Sequence, residues 1–291
     1  MTTLNLAYQE NSQINYTVSK FPDGQQSVTI MNWVFKNEEV LIKSRLNSFK
    51  DLELIICATQ CLREMGVKDI SLYIPYCIGG RSDRKFVEGG VNYIKKVIAP
   101  IINSQDYSQV TILDPHSDVL EACINNFKKK DNTELVKFAL TKIDNKNGAQ
   151  ERTMIVSPDA GAMKKIYDIA KTFKINNVVT AGKVRDIVTG NILRTELPTM
   201  DLVDVEQIVI IDDICDGGRT FIELAKEIKK QTDKPIYLIV THGIFSGGVE
   251  KLSDELDGIY CTNSIKDVQK ETVKVQSRQN DSEFVKQLNV F

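Results

Sequence analysis

Ile208-Val209-Ile210-Ile211-Asp212-Asp213-Ile214-Cys215-Asp216-Gly217-Gly218-Arg219-Thr220-Phe221 is the stretch from which the rest of the sequence can be ordered. Four consecutive β-branched residues, 208 to 211, read as a fully buried strand. Phe221, Leu224, Ala225 and Ile228 then recur on one face of a helix. Between strand and helix the sequence predicts a loop of acids, glycines and one hydroxyl. In a parallel α/β sheet, ligands bind beyond the carboxyl ends of the strands, and a glycine-rich loop entering a helix offers unpaired N–H groups to phosphate. Asp212 and Asp213 repel phosphate, so their place is against sugar hydroxyls or a metal ion. An Asp-Asp pair alone is equally well explained by packing. The Asp216-Gly217-Gly218-Arg219-Thr220 run behind it carries the reading of a phosphorylated-sugar site.

The remaining composition sets bounds. The chain has 291 residues, enough for two ordinary domains, with 42% hydrophobic and 26% charged residues. A formal net charge of −2 argues against nucleic acid as the main partner. The six cysteines, at 57, 61, 77, 123, 215 and 261, include no Cys-x-x-Cys pair and read as reduced thiols. Neither a leader pattern nor a membrane-spanning apolar run stands out, so a cytoplasmic enzyme is expected.

Other strand ends carry charge as well. Phe21-Pro22-Asp23-Gly24-Gln25 is a turn between two short strands, because Pro presets φ and Gly permits a positive one; on the residues alone Phe21 reads as core. A strand at 69–74 leads into Arg81-Ser82-Asp83-Arg84-Lys85, where guanidinium groups could meet a polyphosphate, although a solvated basic turn has the same composition. A helix is expected at 87–99. The strand at 110–113 ends in Asp114-Pro115-His116, a group able to hold magnesium and polarise a phosphate. Thr153 to Val156 is followed by Ser157-Pro158-Asp159-Ala160-Gly161. The strand at 177–180 is followed by Lys183 and Arg185 in a long basic segment with a hairpin-like turn at 188–192, a candidate lid. The sequence repeats strand, basic loop, strand, acidic loop, which predicts two similar α/β domains: 1–140, 141–275, and a tail at 276–291 that can pack back on the first.

Taken in order, the Phe21 turn, the Arg81 loop, Asp114-Pro115-His116, Ser157-Pro158-Asp159, the Asp212 loop and Thr241-His242-Gly243-Ile244-Phe245-Ser246-Gly247 resemble the ribose-phosphate pyrophosphokinase family, from about Phe21 to Asn263. The resemblance implies an α/β protein of two phosphoribosyltransferase-type domains, each a mainly parallel sheet flanked by helices. It implies ATP as co-substrate, Mg2+ as cofactor, and transfer of a diphosphate to the anomeric hydroxyl of ribose 5-phosphate with release of AMP, for nucleotide and NAD synthesis.

Residue by residue, the resemblance gives Arg81, Ser82, Asp83 and Arg84 to ATP, and His116 to its phosphates or their metal. Asp159 and Asp114 become metal ligands. Lys183 and Arg185 become the catalytic basic pair, while Asp212 and Asp213 hold ribose hydroxyls and Asp216, Gly217, Gly218, Arg219 and Thr220 cradle the 5-phosphate. Phe21, Asp23 and Gln25 match a turn that reaches adenine in a neighbouring subunit, which implies a homo-oligomer and reassigns Phe21 from core to ligand. Departures from the family's pattern include Ser82 for Gln, Gln25 for Glu, and Asp216-Gly217-Gly218-Arg219-Thr220 for a form resembling Asp-Thr-Ala-Gly-Thr. Gly217 removes a hydroxyl and Arg219 adds a cation. That change suits a larger acceptor such as ADP-ribose, unless Arg219 pairs with Asp216 or points to solvent. A phosphoribosyltransferase and an inactive regulatory homologue are the other readings.

Overall fold

The computed structural model describes residues 1–32, 34, 36–143, 151–185, 192–268 and 284–291, with the backbone alone at 183–185 and 192–194. The turn expected at 188–192 lies largely outside them. The chain divides into two compact units, Met1–Asp131 with Val290–Phe291, and Asn132–Asn289.

In the first unit, β1 (Thr2–Asn5) is followed by a hairpin of β2 (Tyr16–Lys20) and β3 (Gln26–Ile30), then β4 (Glu39–Lys43), α1 (Phe49–Glu64) and β5 (Asp69–Tyr73). A π-helical turn at Ile94–Ile98 runs into α2 (Ala99–Asn103), followed by β6 (Gln109–Leu113), α3 (Val119–Cys123) and β7 (Phe127–Lys130). Five parallel strands form a sheet in the order β1-β4-β5-β6-β7. Helix α1 starts on a reciprocal cap between Ser48 and Asp51, and buries Leu52, Ile55, Ala58, Thr59 and Leu62. Its half-buried face anchors the hairpin, with the Cys57 and Cys61 thiols donating to the carbonyls of Gln26 and Val28 at 3.8 and 3.2 Å. The helix expected at 87–99 begins only at Ile94. Gly90 N–H instead donates to Val87 O, and Gly89 takes φ +79, so this glycine pair closes a turn where a helix would have to propagate.

The second unit contains α4 (Thr133–Ile143), β8 (Thr153–Ser157), α5 (Met163–Phe173), β9 (Asn177–Thr180), a ribbon of β10 (Gly182–Arg185) and β11 (Ile192–Glu196), β12 (Gln207–Cys215), α6 (Arg219–Lys229), β13 (Ile236–Gly243), α7 (Glu250–Ser253), β14 (Gly258–Thr262) and β15 (Val285–Leu288). Its sheet runs β15-β14-β13-β12-β8-β9, all parallel. Ile208 and Ile210 point into one core with Phe221, Leu224 and Ile228 of α6; Val209 and Ile211 point into the other with Leu140 of α4 and Ile166 of α5. Two covered faces explain the unbroken apolar run, each such side chain contributing about 1.5–3 kcal/mol on full burial.

Three boundaries differ from the sequence reading. The division falls after Asp131 instead of near 140, because Leu135, Val136, Ala139, Leu140 and Ile143 of α4 enter the second unit's core. The expected tail at 276–291 supplies strand β15, and only Val290–Phe291 groups with the first unit, where the Phe291 ring lies 5.7 Å from Tyr8 and 5.4 Å from the Arg45 guanidinium. Strand β12 continues through residues read as loop to Cys215, beside β13, which runs to Gly243. Pairing of β12 with β8 ends at Ile210, so the segment from Asp212 to Cys215 is paired through β13.

Candidate functional site

The extended end of β12 carries Asp212 and Asp213 beyond the β8 ladder. Asp213 N–H donates to Asp212 Oδ1 at 2.9 Å. Burial holds the Asp212 carboxyl well above the usual carboxylate range, the charge and side-chain hydrogen bond of Asp213 push it further up, and Asp213 N–H and Lys165 oppose the rise. Carboxylate oxygens at this strand end can accept hydrogen bonds from the hydroxyls of a sugar diol.

The loop that follows is held by a second loop after β13. Ile244 and Phe245 N–H both donate to Cys215 O, and Ser246 N–H donates to Asp216 O at 3.2 Å. Ser246 Oγ donates to Asp216 Oδ1 at 2.6 Å. Gly243 is required because the Phe245 ring would lie 2.2 Å from any Cβ there. Gly218 caps α6 at φ +80, where a Cβ would crowd Leu252 at 3.1 Å. The N–H groups of Gly217, Gly218, Arg219 and Thr220 have no hydrogen-bond partner among the described residues, and they line the start of α6. These donors and the helix dipole can receive an anion. The Arg219 side chain turns outward: it is 81% exposed and its Nε donates to Glu223 Oε1 at 2.6 Å. Of the alternatives left open for Arg219, neither a bond to Asp216 nor a place over the cradle is what the structure adopts.

Elsewhere in this unit, half-buried Asp159 caps the 3-10 turn Ala160–Ala162, its Oδ1 accepting from Gly161 N–H at 3.0 Å and Ala162 N–H at 3.3 Å. Lys183 and Arg185 lie on β10, whose backbone pairs antiparallel with β11 and shifts register between Val184 and Arg185. Beside the β12 end a buried polar network joins Asn132 to Thr241 Oγ1, Thr262 Oγ1 to Thr241 O, and His242 Nδ1 to Ser264 Oγ at 2.8 Å.

In the first unit, Gly24 takes φ +102 in the expected turn, Gln25 N–H donates to Asp23 Oδ1, and Phe21 is 52% exposed, which excludes the core reading. In the basic loop, Arg81 and Arg84 are exposed and Ser82 and Asp83 half-buried. The Arg84 guanidinium lies 5.3 Å over the Phe86 ring and 4.0 Å from Asp83 Oδ1. Asp114 and His116 share the turn after β6. Asp114 is buried at φ +45 with its N–H on Lys130 O, whereas His116 is exposed.

Of the expected acids, Asp114 belongs to the first unit, and Asp159 and Asp212 to the second, at the turn after β8 and on β12. Among the described residues no group of three or more His, Cys, Asp or Glu could hold a metal ion. Magnesium commonly takes only one or two protein carboxylates and fills its octahedron with waters and substrate phosphates, so the donor set fits that mode and not an all-protein cage. Sequence reasoning left Lys165 and Ser246 without roles. Lys165 carries no local motif, and Ser246 becomes informative only when β13 places its loop against Asp216.

The chain is similar to known proteins in sequence and in fold. A family model described as "Phosphoribosyl synthetase-associated domain" matches residues 187–280. A ribose-phosphate pyrophosphokinase of Pasteurella multocida is 28% identical over 257 residues, 86% of this chain and 78% of that protein. One from Pyrococcus abyssi is 24% identical over 255 residues, 87% and 85% of the two chains. The crystal structure of a phosphoribosylpyrophosphate synthetase from Mycobacterium smegmatis superposes with a TM-score of 0.77 at 15% identity, covering 100% of this chain and 95% of that one, which shows a shared fold. No helix among the described residues is long and apolar enough to cross a membrane.

Proposed function

Taking the chain as a relative of the ribose-phosphate pyrophosphokinases, we propose that it is a diphosphotransferase that moves the β,γ-diphosphate of ATP to the anomeric hydroxyl of ribose 5-phosphate. The row of N–H donors from Gly217 to Thr220, beside Asp212 and Asp213, is the observation that carries this reading. The donors receive the 5-phosphate, and the two carboxyl groups take the ribose hydroxyls and fix the ring. The anomeric hydroxyl oxygen attacks the β-phosphorus and gives up its proton to solvent, the bond from that phosphorus to the oxygen of the α-phosphate breaks, and AMP leaves with the electron pair. No covalent enzyme intermediate is needed, so alignment and cations placed on developing charge supply the catalysis.

Lys183 and Arg185 are the cations for the transferring group. Arg81, Ser82, Asp83, Arg84 and His116 bind ATP, and the exposed Phe21 ring with Asp23 and Gln25 serves the adenine of a neighbouring subunit in a homo-oligomer. Asp159 would hold magnesium directly or through water, and Asp114 is a further candidate metal ligand. Magnesium, when bound, neutralises charge on the transferring diphosphate.

The test is nucleotide analysis after mixing protein, ATP and magnesium with either ribose 5-phosphate or ADP-ribose. AMP formed in step with consumption of ribose 5-phosphate is expected. ADP-ribose stands as a second acceptor because a Cβ at Gly217 would meet only Ser246 Oγ, at 3.9 Å, leaving room beside the cradle. Turnover with ADP-ribose alone would transfer the same chemistry to the larger acceptor. AMP release with neither sugar consumed removes both.

A further inference from the structure

Asp216 is an unusual neighbour for an anion cradle. It lies two residues before the helix cap Gly218, on the loop whose N–H groups at 217–220 have no hydrogen-bond partner among the described residues. An Asp side chain can hydrogen-bond the backbone N–H two residues on, here that of Gly218, and the peptide dipoles at a helix start favour negative charge. Asp216 in that conformation would occupy the donors a phosphate needs. The structure shows it turned elsewhere: Oδ1 accepts a 2.6 Å hydrogen bond from Ser246 Oγ, and its carbonyl accepts from Ser246 N–H at 3.2 Å. Ser246 is itself set by a rigid frame. Phe245 before it holds φ +48 against Gly243, and Gly247 after it meets the Gly217 carbonyl so closely that a Cβ would stand 3.1 Å from the oxygen.

We infer that Ser246 is a positioning residue that diverts the Asp216 carboxylate from the N–H row and so keeps the cradle open to the acceptor's phosphate. The inference rests on the reading of residues 217–220 as the acceptor-phosphate site. Ser246 does not touch the reacting atoms; it acts through Asp216. Replacing its hydroxyl removes a charge-assisted hydrogen bond, and the carboxylate then competes with the acceptor for the same donors.

Steady-state kinetics of the full chain on Ser246→Ala, Ser246→Thr, Asp216→Asn and the double variant Ser246→Ala with Asp216→Asn test this. Ser246→Ala is expected to raise KM for ribose 5-phosphate about tenfold, with kcat and KM for ATP within about twofold. Ser246→Thr restores KM, because it restores the hydroxyl. With Asn at 216, whose amide has no charge to compete, the further change Ser246→Ala should alter KM by less than about twofold, a non-additive cycle. An unchanged KM in Ser246→Ala, or equal effects of that change with Asp or Asn at 216, overturns the inference. Absence of diphosphate transfer by the wild-type chain instead overturns the function it rests on, and far-ultraviolet circular dichroism separates either result from misfolding.

Discussion

Gly247 and Gly217 meet backbone to backbone, and a Cβ built on Gly247 would lie 3.1 Å from the Gly217 carbonyl oxygen. Two loops from different strand ends are thus kept in register by the absence of a side chain, and Gly217 is the first donor of the cradle. Gly247→Ala is expected to push the loops apart by a few tenths of an ångström and raise KM for the phosphorylated acceptor. A misplacement approaching 1 Å can cost about a hundredfold in rate, so Gly247→Val should be far worse than Ala. Kinetics that do not distinguish Gly, Ala and Val at 247 would remove the steric argument.

Lys183 and Arg185 stand on a two-stranded ribbon outside the six-stranded sheet. Their replacement by Ala is expected to spare the fold. Turnover at saturating substrates is expected to fall about a thousandfold, by analogy with basic fingers of other phosphoryl transfer enzymes, with the melting temperature unchanged. Loss of folding stability in step with activity would show a structural role instead.

Phe21 is 52% exposed on a turn anchored through β3 to α1, so removing its ring leaves no cavity. Stacking of a base on an aromatic ring is typically worth about 1–3 kcal/mol, which predicts a rise in KM for ATP of about 5- to 150-fold in Phe21→Ala. The melting curve should not move. A homo-oligomer with a shared adenine site would also permit complementation: mixing Phe21→Ala with a Lys183→Ala variant and allowing subunits to exchange should then recover activity.

The Asp212 carboxyl titrates above its unfolded value because of burial and the adjacent Asp213 charge. A folded state that holds a proton more tightly than the unfolded state loses stability as pH rises from the ordinary carboxylate range to the raised value. Asp212→Asn should therefore flatten that part of the stability curve and raise the melting temperature at neutral pH, by about 2–4 °C for each kcal/mol gained. The same change should depress activity through lost sugar contact. A variant with the wild-type pH dependence of melting would show that Asp212 does not carry it.

The amino-acid sequence by itself determined the fold class and the kinds of chemistry at the strand ends. An apolar run with no alternation, Ile208 to Ile211, demands cover on both faces, and it lies between them as β-branched spacing requires. Gly24 and Gly218 take the positive φ values that their loops need, a local property legible in composition. Longer-range outcomes were not legible. Only pairing with β13 carried β12 on through Asp212 and Asp213, since a polar strand end is ordered by its neighbour's hydrogen bonds and not by its own side chains. Likewise α4 joined the second unit because its apolar face found a core there; polar stretches at 128–134 and 141–152 both suit a boundary, and packing of α4 decided for the first. The outward turn of Arg219 onto Glu223 is a local pairing four residues along α6, whereas tertiary structure alone brought Ser246 to Asp216, because the reach of a side chain across 30 positions of sequence is set by which strands lie side by side.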